Sequence, residues 1–399
     1  MLHCIRTLCL FLFLFFSYRI SASELTTLTK LSPISSHFEN IYFSNLESTF
    51  HCVGEFKELS HYIDTSSIRG YSWKILSKNH LLDFDSTKNH FGTTLMVMEQ
   101  PTSAALTPHF FHFLEHLLIL FDNVQSYKLP TVKLFLIASD GFDMNFSWKG
   151  PNNVNEHLIK ALFPEADILT FAEFKDKNKD RYHKFSHLVT SDRGLFQVKF
   201  KPFYMSYMLN LYYQNLNKDY TELMSKKVKN YLGIFSDKKN RKHVNITYIK
   251  RKQFRWVESS IESALLKSIS TIPGVQLNAV DLAEMSFKDQ IELIDRTDIL
   301  IGAHGNGFSH TLFLNPYSTV IELYPKHSLH CEYRIFSELR NVNYFAWVDN
   351  EGLYDYDVLK SASEKGQCGF IGFPRNFIIM PHVYTIVDLI EKEVKKRLK

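Results

Sequence analysis

Three glycines and two histidines crowd into Gly302-Ala-His304-Gly305-Asn306-Gly307-Phe-Ser-His310, directly after the apolar, β-branched run Ile299-Leu-Ile301. Glycines after a strand let main-chain N–H groups approach a phosphate closely, and the N-terminus of a following helix favours negative charge there. A histidine beside such a turn can donate to a phosphoryl oxygen as charge builds on it. The pattern therefore reads as a diphosphate pocket at the carboxyl end of a parallel strand, where open α/β sheets hold ligands. Its bland alternative is a tight turn and nothing more. The spacing Gly302-x-x-Gly305-x-Gly307 reverses that of a dinucleotide fingerprint, and no P-loop lysine follows it. An ordinary NAD or ATP site is disfavoured.

Other polar residues stand at positions that could serve such a pocket. Arg251 and Arg255 follow the strand-like run Val244–Ile249, and a guanidinium fork binds oxyanions bidentately. Glu322 ends the next apolar run, where it could accept from ribose hydroxyls or a base; capping a helix is the competing role. His109, His112, Glu115 and His116 bunch at one helix start. They are either candidates to take a proton or an exposed first turn.

Alternating strand-like and helix-like patterns position these residues. Before residue 236 come short β-like runs (Ile41–Phe43, Tyr71–Ile75, Thr94–Met98), a helical pattern over Phe110–Phe121, and the strand-like Val132–Ile137. A helix over Glu156–Phe163 and strands at Ile168–Phe171 and Leu188–Thr190 follow. The polar stretch 233–243 reads as a linker. Beyond it the spacing predicts strands at 244–249, 275–280, 299–302, 319–324 and 343–347. Helices are expected over Ser260–Ile269, Ser286–Asp295, from about Gly307, over Tyr333–Leu339 and over Val383–Leu398. Such a βαβ series gives a parallel sheet with right-handed crossovers. The expected organisation is a leader at 1–23, an α/β lobe at 24–235 from which an acceptor would enter, and an α/β lobe at 236–399 that carries the phosphate loop and would hold the donor.

Composition narrows the setting. The 399 residues carry 46 Lys+Arg against 42 Asp+Glu, a net charge of +4. The basic residues are scattered, and the densest stretch, Lys238–Lys242, lacks interleaved aromatics, so nucleic acid is not expected as a partner. Leu8–Phe16 is apolar, follows Arg6 and precedes Ser21-Ala-Ser23, the pattern of a cleavable secretory signal. That run is too short to span a bilayer, which takes roughly 20 residues. The protein is expected in the secretory lumen, endoplasmic reticulum or Golgi, without a stable membrane helix after cleavage.

Cleavage leaves Cys52, Cys331 and Cys368, with Cys331–Cys368 the most economical pair, although sequence does not fix connectivity. The sequons at Asn145 and Asn245 fit a luminal protein, the second falling within a strand-like run. Asp83-Phe-Asp85 and Asp355-Tyr-Asp357 are D-x-D strings remote from the glycine turn, so no metal is assigned to them.

The chain resembles family 61 glycosyltransferases. Thr297-Asp298-Ile299, Gly302, His304, Gly305, Gly307, His310, Phe313-Leu314 and Glu322-Leu323-Tyr324 follow that family's signature in order. Asn306 stands where the family usually has Ala, and Phe308-Ser309 where it has Leu-Thr. Upstream, Tyr248-Ile249, Arg251, Arg255, Ser259, Glu262 and Gln290 are similar to the family's strand, arginine pair, polar cap and helix. Cys331, Leu339–Tyr344 and Trp347 are similar to the family's stretch after the distal Glu, while Phe111–His116 looks like its His-x-x-Asp/Glu element.

The resemblance implies a GT-B fold, two facing Rossmann-like lobes with a cleft. It also implies inverting transfer of a sugar from a UDP donor to a hydroxyl on a protein or glycan. GlcNAc is the expected sugar and xylose the alternative; a catalytically inactive nucleotide-sugar or glycan binder is the other reading. In this reading Arg251, Arg255, Gly302, His304, Gly305, Asn306, Gly307, His310 and Glu322 bind the donor. Glu115 or His112 takes the acceptor proton. No cofactor is required, with room for stimulation by Mn²⁺.

Overall fold

In a computed structural model, the structure describes residues 27–32, 35–45, 47, 49–53, 72–76, 87–98, 110–138, 154–178, 182–192, 216–235, 242–251, 255–326, 332–364 and 377–399. The signal-like segment, Asp83, Asp85, His109, the Asn145 sequon, Cys331 and Cys368 lie outside them. Two compact units form. One gathers Met1–Ala104, Tyr127–Met144 and Glu165–Leu195; the other gathers Ala105–Ser126, Asn145–Pro164 and Phe196–Lys399.

Among the described residues the first unit holds eight strands: β1 (Thr27–Ser32), β2 (Ser35–Ser44), β3 (Thr49–Val53), β4 (Ser72–Leu76), β5 (Thr87–Met98), β6 (Val132–Ala138), β7 (Asp167–Thr170) and β8 (Tyr182–Asp192). They form one sheet in the order β4-β3-β2-β8-β5-β6-β7, with β1 on β2. The β8-β5-β6-β7 half is parallel, and β2 is antiparallel to β1, β3 and β8. Alternate residues of neighbouring strands share a face, and Ile41, Phe43, Phe50 and Phe185 close one core with Phe171 and Phe174. Phe171 is not strand, as its apolar neighbours suggest, but the first residue of a short helix (Phe171–Lys177). Thr170 and Glu173 cap that helix reciprocally, which stops β7.

The second unit is built on β9 (Val244–Ile249), β11 (Val275–Val280), β12 (Ile299–Ala303), β13 (Thr319–Tyr324), β14 (Asn343–Val348) and β15 (Gly352–Tyr354). Their order is β11-β9-β12-β13-β14-β15, parallel throughout except for β15. A separate parallel pair joins β10 (Arg255–Val257) to β16 (Phe377–Ile379). Strands β9, β12 and β13 are buried almost continuously, as in a sheet covered on both faces. Helices Ser259–Ser270, Phe287–Arg296, Glu332–Leu339 and Val383–Leu398 fall where the periodicity predicts.

Three features differ from the sequence expectation. The polar cap of the first of these helices is Glu258, whose carboxylate accepts from the N–H groups of Ser260 and Ile261, rather than Ser259. After β12 the chain forms a 3₁₀ helix, Asn306–Phe313, rather than an α-helix. The helix Phe110–Ser126, expected in the first lobe, clusters with the second unit together with Val154–Leu162. Phe113 to Phe121 are buried all round, which suits a helix packed on several sides. The fold is α/β, with two Rossmann-like units of the kind a GT-B protein comprises.

Candidate functional site

Strand order determines where a ligand can reach the second sheet. From β9 the chain crosses to β11 on one side, then returns past β9 to β12 on the other. The crossovers reverse direction between β9 and β12, so their carboxyl ends flank a crevice of the kind that binds ligands in open α/β sheets. Arg251 leaves the end of β9, and His304-Gly305-Asn306-Gly307 leaves the end of β12.

Each glycine of that turn has its own reason. Gly302 pairs with Ile249, and a Cβ there would sit 2.9 Å from the Ile249 carbonyl oxygen. Gly307 lies against the Ile249 side chain, where a Cβ would come within 3.1 Å of Cδ1. At Gly305 a Cβ would fall 1.4 Å from Arg251 Nη1. The absent side chain is therefore the space through which the guanidinium passes. Arg251 Nη1 donates to the His304 carbonyl oxygen at 2.7 Å.

Arg251 is held below its ordinary pKa by burial and then by the charge of Arg255, with Tyr333 and Asp281 opposing. Two guanidiniums are thus brought within electrostatic reach of each other beside the start of the 3₁₀ helix. Phe308 N–H donates to the Gly305 carbonyl at 2.9 Å. The N–H groups of Asn306 and Gly307 lie in the first turn of the 3₁₀ helix. Asn306 Oδ1 accepts from Ser309 Oγ at 3.1 Å, so the two side chains brace their own turn.

Behind the turn lies a buried relay. His304 is 4% exposed and Glu322 0%. His304 Nδ1 bonds one oxygen of Glu322, and the Tyr344 hydroxyl donates to the other. The Tyr324 hydroxyl lies 3.2 Å from that of Tyr344, and the Tyr324 ring stacks on the His304 ring at 4.9 Å. Burial, followed by the charge of Glu322, raises both phenols well above their ordinary range, so both stay protonated. This arrangement fixes the imidazole plane and ties up Nδ1.

His310 has a bracing position. Its Nδ1 lies 2.9 Å from the Gly307 carbonyl oxygen and its Nε2 2.8 Å from the Gln290 side-chain oxygen. The Gln290 amide nitrogen in turn donates to the carbonyls of Leu282 and Met285. Two acceptors would suit a charged ring, but full burial outweighs them and pushes His310 down to about 4.

The Phe110 ring sits 5.0 Å from the His310 ring, which places the start of the helix Phe110–Ser126 beside the 3₁₀ helix. Glu115, one turn further, is 2% exposed and His116 is also buried, so this is not a solvent-facing first turn. His112 lies in the same helix, with its side chain outside the described residues. Asp355, from the second D-x-D string, accepts from Val358 N–H at 3.1 Å, a helix cap.

Residues 109–321 match the family model described as Glycosyltransferase 61, just over half of the chain. The chain belongs to glycosyltransferase family 61. Among curated relatives, it is similar to the EGF domain-specific O-linked N-acetylglucosamine transferase of Drosophila melanogaster, 32% identical over 115 residues. That stretch is 29% of this chain and 22% of the relative. It is similar to the enzyme of the same name from Canis lupus familiaris, 33% identical over 98 residues, 24% of this chain and 18% of that one. The matches thus span about a fifth of the relatives' length. A solved chain, diflavin flavoprotein A3 from Nostoc sp., covers 40% of this chain and 95% of itself at 12% identity with a TM-score of 0.22, too slight a likeness to carry an argument. Among the described residues of this family 61 protein, no helix is long and apolar enough to cross a membrane.

Of the residues singled out from the family 61 signature, Arg251, Gly302, His304, Gly305, Asn306 and Gly307 gather where β9 and β12 end. Arg255 acts on Arg251 electrostatically. Glu322 and His310 lie behind the turn, bonded to other protein groups. Sequence reasoning gave no role to Tyr344, Tyr324, Tyr333 or Asp281. The signal for Tyr344 was strand parity: it pairs with Val320, and residues 320, 322 and 324 share a face.

Proposed function

We propose that this family 61 protein is an inverting glycosyltransferase that moves GlcNAc from UDP-GlcNAc to a hydroxyl of a protein acceptor. The observation that carries the donor part is Arg251 threading past Gly305 onto the His304 carbonyl, with Arg255 near it, at the sheet's switch point. Cationic side chains converging beside a helix start suit a diphosphate. The GlcNAc assignment draws on the names of the relatives, which transfer that sugar to EGF domains. UDP-xylose is the alternative donor.

In the reaction, the acceptor oxygen attacks the anomeric carbon while the bond from that carbon to the diphosphate oxygen breaks. Negative charge grows on the departing diphosphate, and Arg251, Arg255 and the Asn306 and Gly307 N–H groups stabilise it. His304 Nδ1 is held by Glu322, so contact with the donor falls to Nε2. Glu322 therefore acts through His304 rather than on the ribose, and His310 holds the turn in shape. Glu115 receives the acceptor proton. Positive groups offset the leaving-group charge, and no cofactor enters the scheme. Acceptor recognition falls to residues 24–235, and the reaction takes place in the secretory lumen, a setting supported by the apolar N-terminal run and the sequons.

The test is a panel of nucleotide sugars, each offered with folded EGF-type domains and with glycans, reading UDP release and then the mass added to the acceptor. Release from UDP-GlcNAc with a matching mass increment is expected. UDP binding without turnover on any acceptor would indicate a non-catalytic binder, and no UDP binding would overturn the donor site.

A further inference from the structure

Strands β2 and β8 of the first unit run antiparallel, with Glu39 opposite His187 and His37 opposite Val189. Paired residues share a face and every second residue repeats it, so His37, Glu39 and His187 project from the same side of the sheet. His37 is buried, whereas the His187 and Glu39 side chains are 24% and 41% exposed. His37 Nε2 lies 3.2 Å from His187 Nδ1, and Glu39 Oε1 lies 3.9 Å from the same nitrogen. All three donor atoms fall within 4.8 Å of one another.

We propose that His37, Glu39 and His187 form a binding site for a first-row divalent transition cation of the zinc class. Bonds of roughly 2.0–2.1 Å in a tetrahedral site separate neighbouring donors by about 3.3 Å. The two imidazole nitrogens already stand at that separation. The rings have only to turn so that both lone pairs aim at one point, and the carboxylate of Glu39, a partly exposed, flexible side chain, moves in. Two imidazoles and one carboxylate suit zinc and its first-row neighbours, and supply too few oxygens for calcium or magnesium. Three protein ligands leave a further position open to water on the exposed side.

A second imidazole pair on this sheet serves as an internal comparison. His90 Nε2 and His183 Nδ1 are also 3.2 Å apart. They pack against the rings of Phe174 and Phe185, and among the described residues no carboxylate completes a three-donor group with them. The proposal is independent of the sugar-transfer reading, and its test does not measure transfer.

The full chain, stripped of metal with a chelator, is titrated with Zn²⁺ against a chromophoric competitor and with Co²⁺ followed by visible absorption. Wild type should bind one equivalent that both Glu39→Gln and His187→Ala lose. The affinity loss should exceed the about 10–100-fold typical of removing an outer-shell partner of a metal ligand. His90→Ala should retain that equivalent. Zinc should raise the thermal midpoint of wild type and not that of Glu39→Gln, whose partly exposed substitution spares the fold. Should wild type bind no more zinc than the variants, or should Glu39→Gln keep full affinity, the imidazoles are joined by a hydrogen bond alone and the proposal is overturned.

Discussion

Arg251 reaches the carbonyl oxygen of His304, 2.7 Å from Nη1, through volume that a side chain at residue 305 would occupy. Strand β9 supplies the guanidinium and β12 supplies the carbonyl, so one contact locks together the two strand ends at which the crossovers reverse. Gly305→Ala should expel the guanidinium while leaving the sheet intact, because the obstructed atom is the tip of a flexible side chain. The specificity constant for the donor (kcat/KM) should fall on the order of 100-fold, as for loss of one oxyanion donor. Circular dichroism should remain that of wild type. Unchanged kinetics would show that Arg251 does not need this path.

The Tyr344 hydroxyl donates to Glu322, which in turn holds His304. Tyr344→Phe leaves a fully buried carboxylate oxygen without that donor, which costs about 1–3 kcal/mol. Urea unfolding should show this loss, together with a lower kcat from a less firmly oriented imidazole. Stability equal to wild type would mean that the relay contributes nothing to holding Glu322.

His310 gives stability a pH dependence with a definite sign. Burial depresses it from 6.5 to about 4, so between those values the unfolded chain binds a proton that the folded chain refuses. Stability on this account is complete above about 6.5 and is lost as pH falls toward 4, by roughly 3 kcal/mol in all. His310→Gln should lack that increment. The two proteins, unfolded in urea across this window, should converge as pH falls; parallel curves would contradict a neutral His310.

Glu115 tests the division of labour between binding and chemistry. Glu115→Gln keeps the shape of a buried side chain but cannot accept a proton. Loss of a general base typically costs on the order of 10²–10⁴ in rate, so kcat should collapse while UDP binds as before. A variant with near-normal kcat would move the base elsewhere, with His112 the next residue to replace.

The second sheet was legible because its strands are short, apolar runs bounded by caps and glycines. Ser286 and the run Ile299–Ile301 fall where the pattern places them. The site was legible only as far as its main-chain turn. His304 and Arg251 could be tied to phosphate chemistry by type and spacing, but Glu322 looked like a ligand contact until its burial and its bonds to His304 and Tyr344 were seen. Contacts across neighbouring parallel strands depend on register, which no local pattern encodes. The helix carrying Glu115 shows a second limit. Its apolar residues predict burial but not which unit supplies the neighbours, and it joins the sheet that follows it in sequence. The His37–Glu39–His187 cluster has no local pattern either, its members lying on strands far apart in the chain.

The central claim is that the turn at His304–Gly307, with Arg251 and Arg255, grips a diphosphate. Calorimetric titration of UDP into wild type, Arg251→Ala and Arg255→Ala tests it without any acceptor. Removing a charged hydrogen bond worth about 1.5–3 kcal/mol should weaken binding about 10–100-fold in each variant. UDP affinity that is the same in all three folded proteins would contradict it.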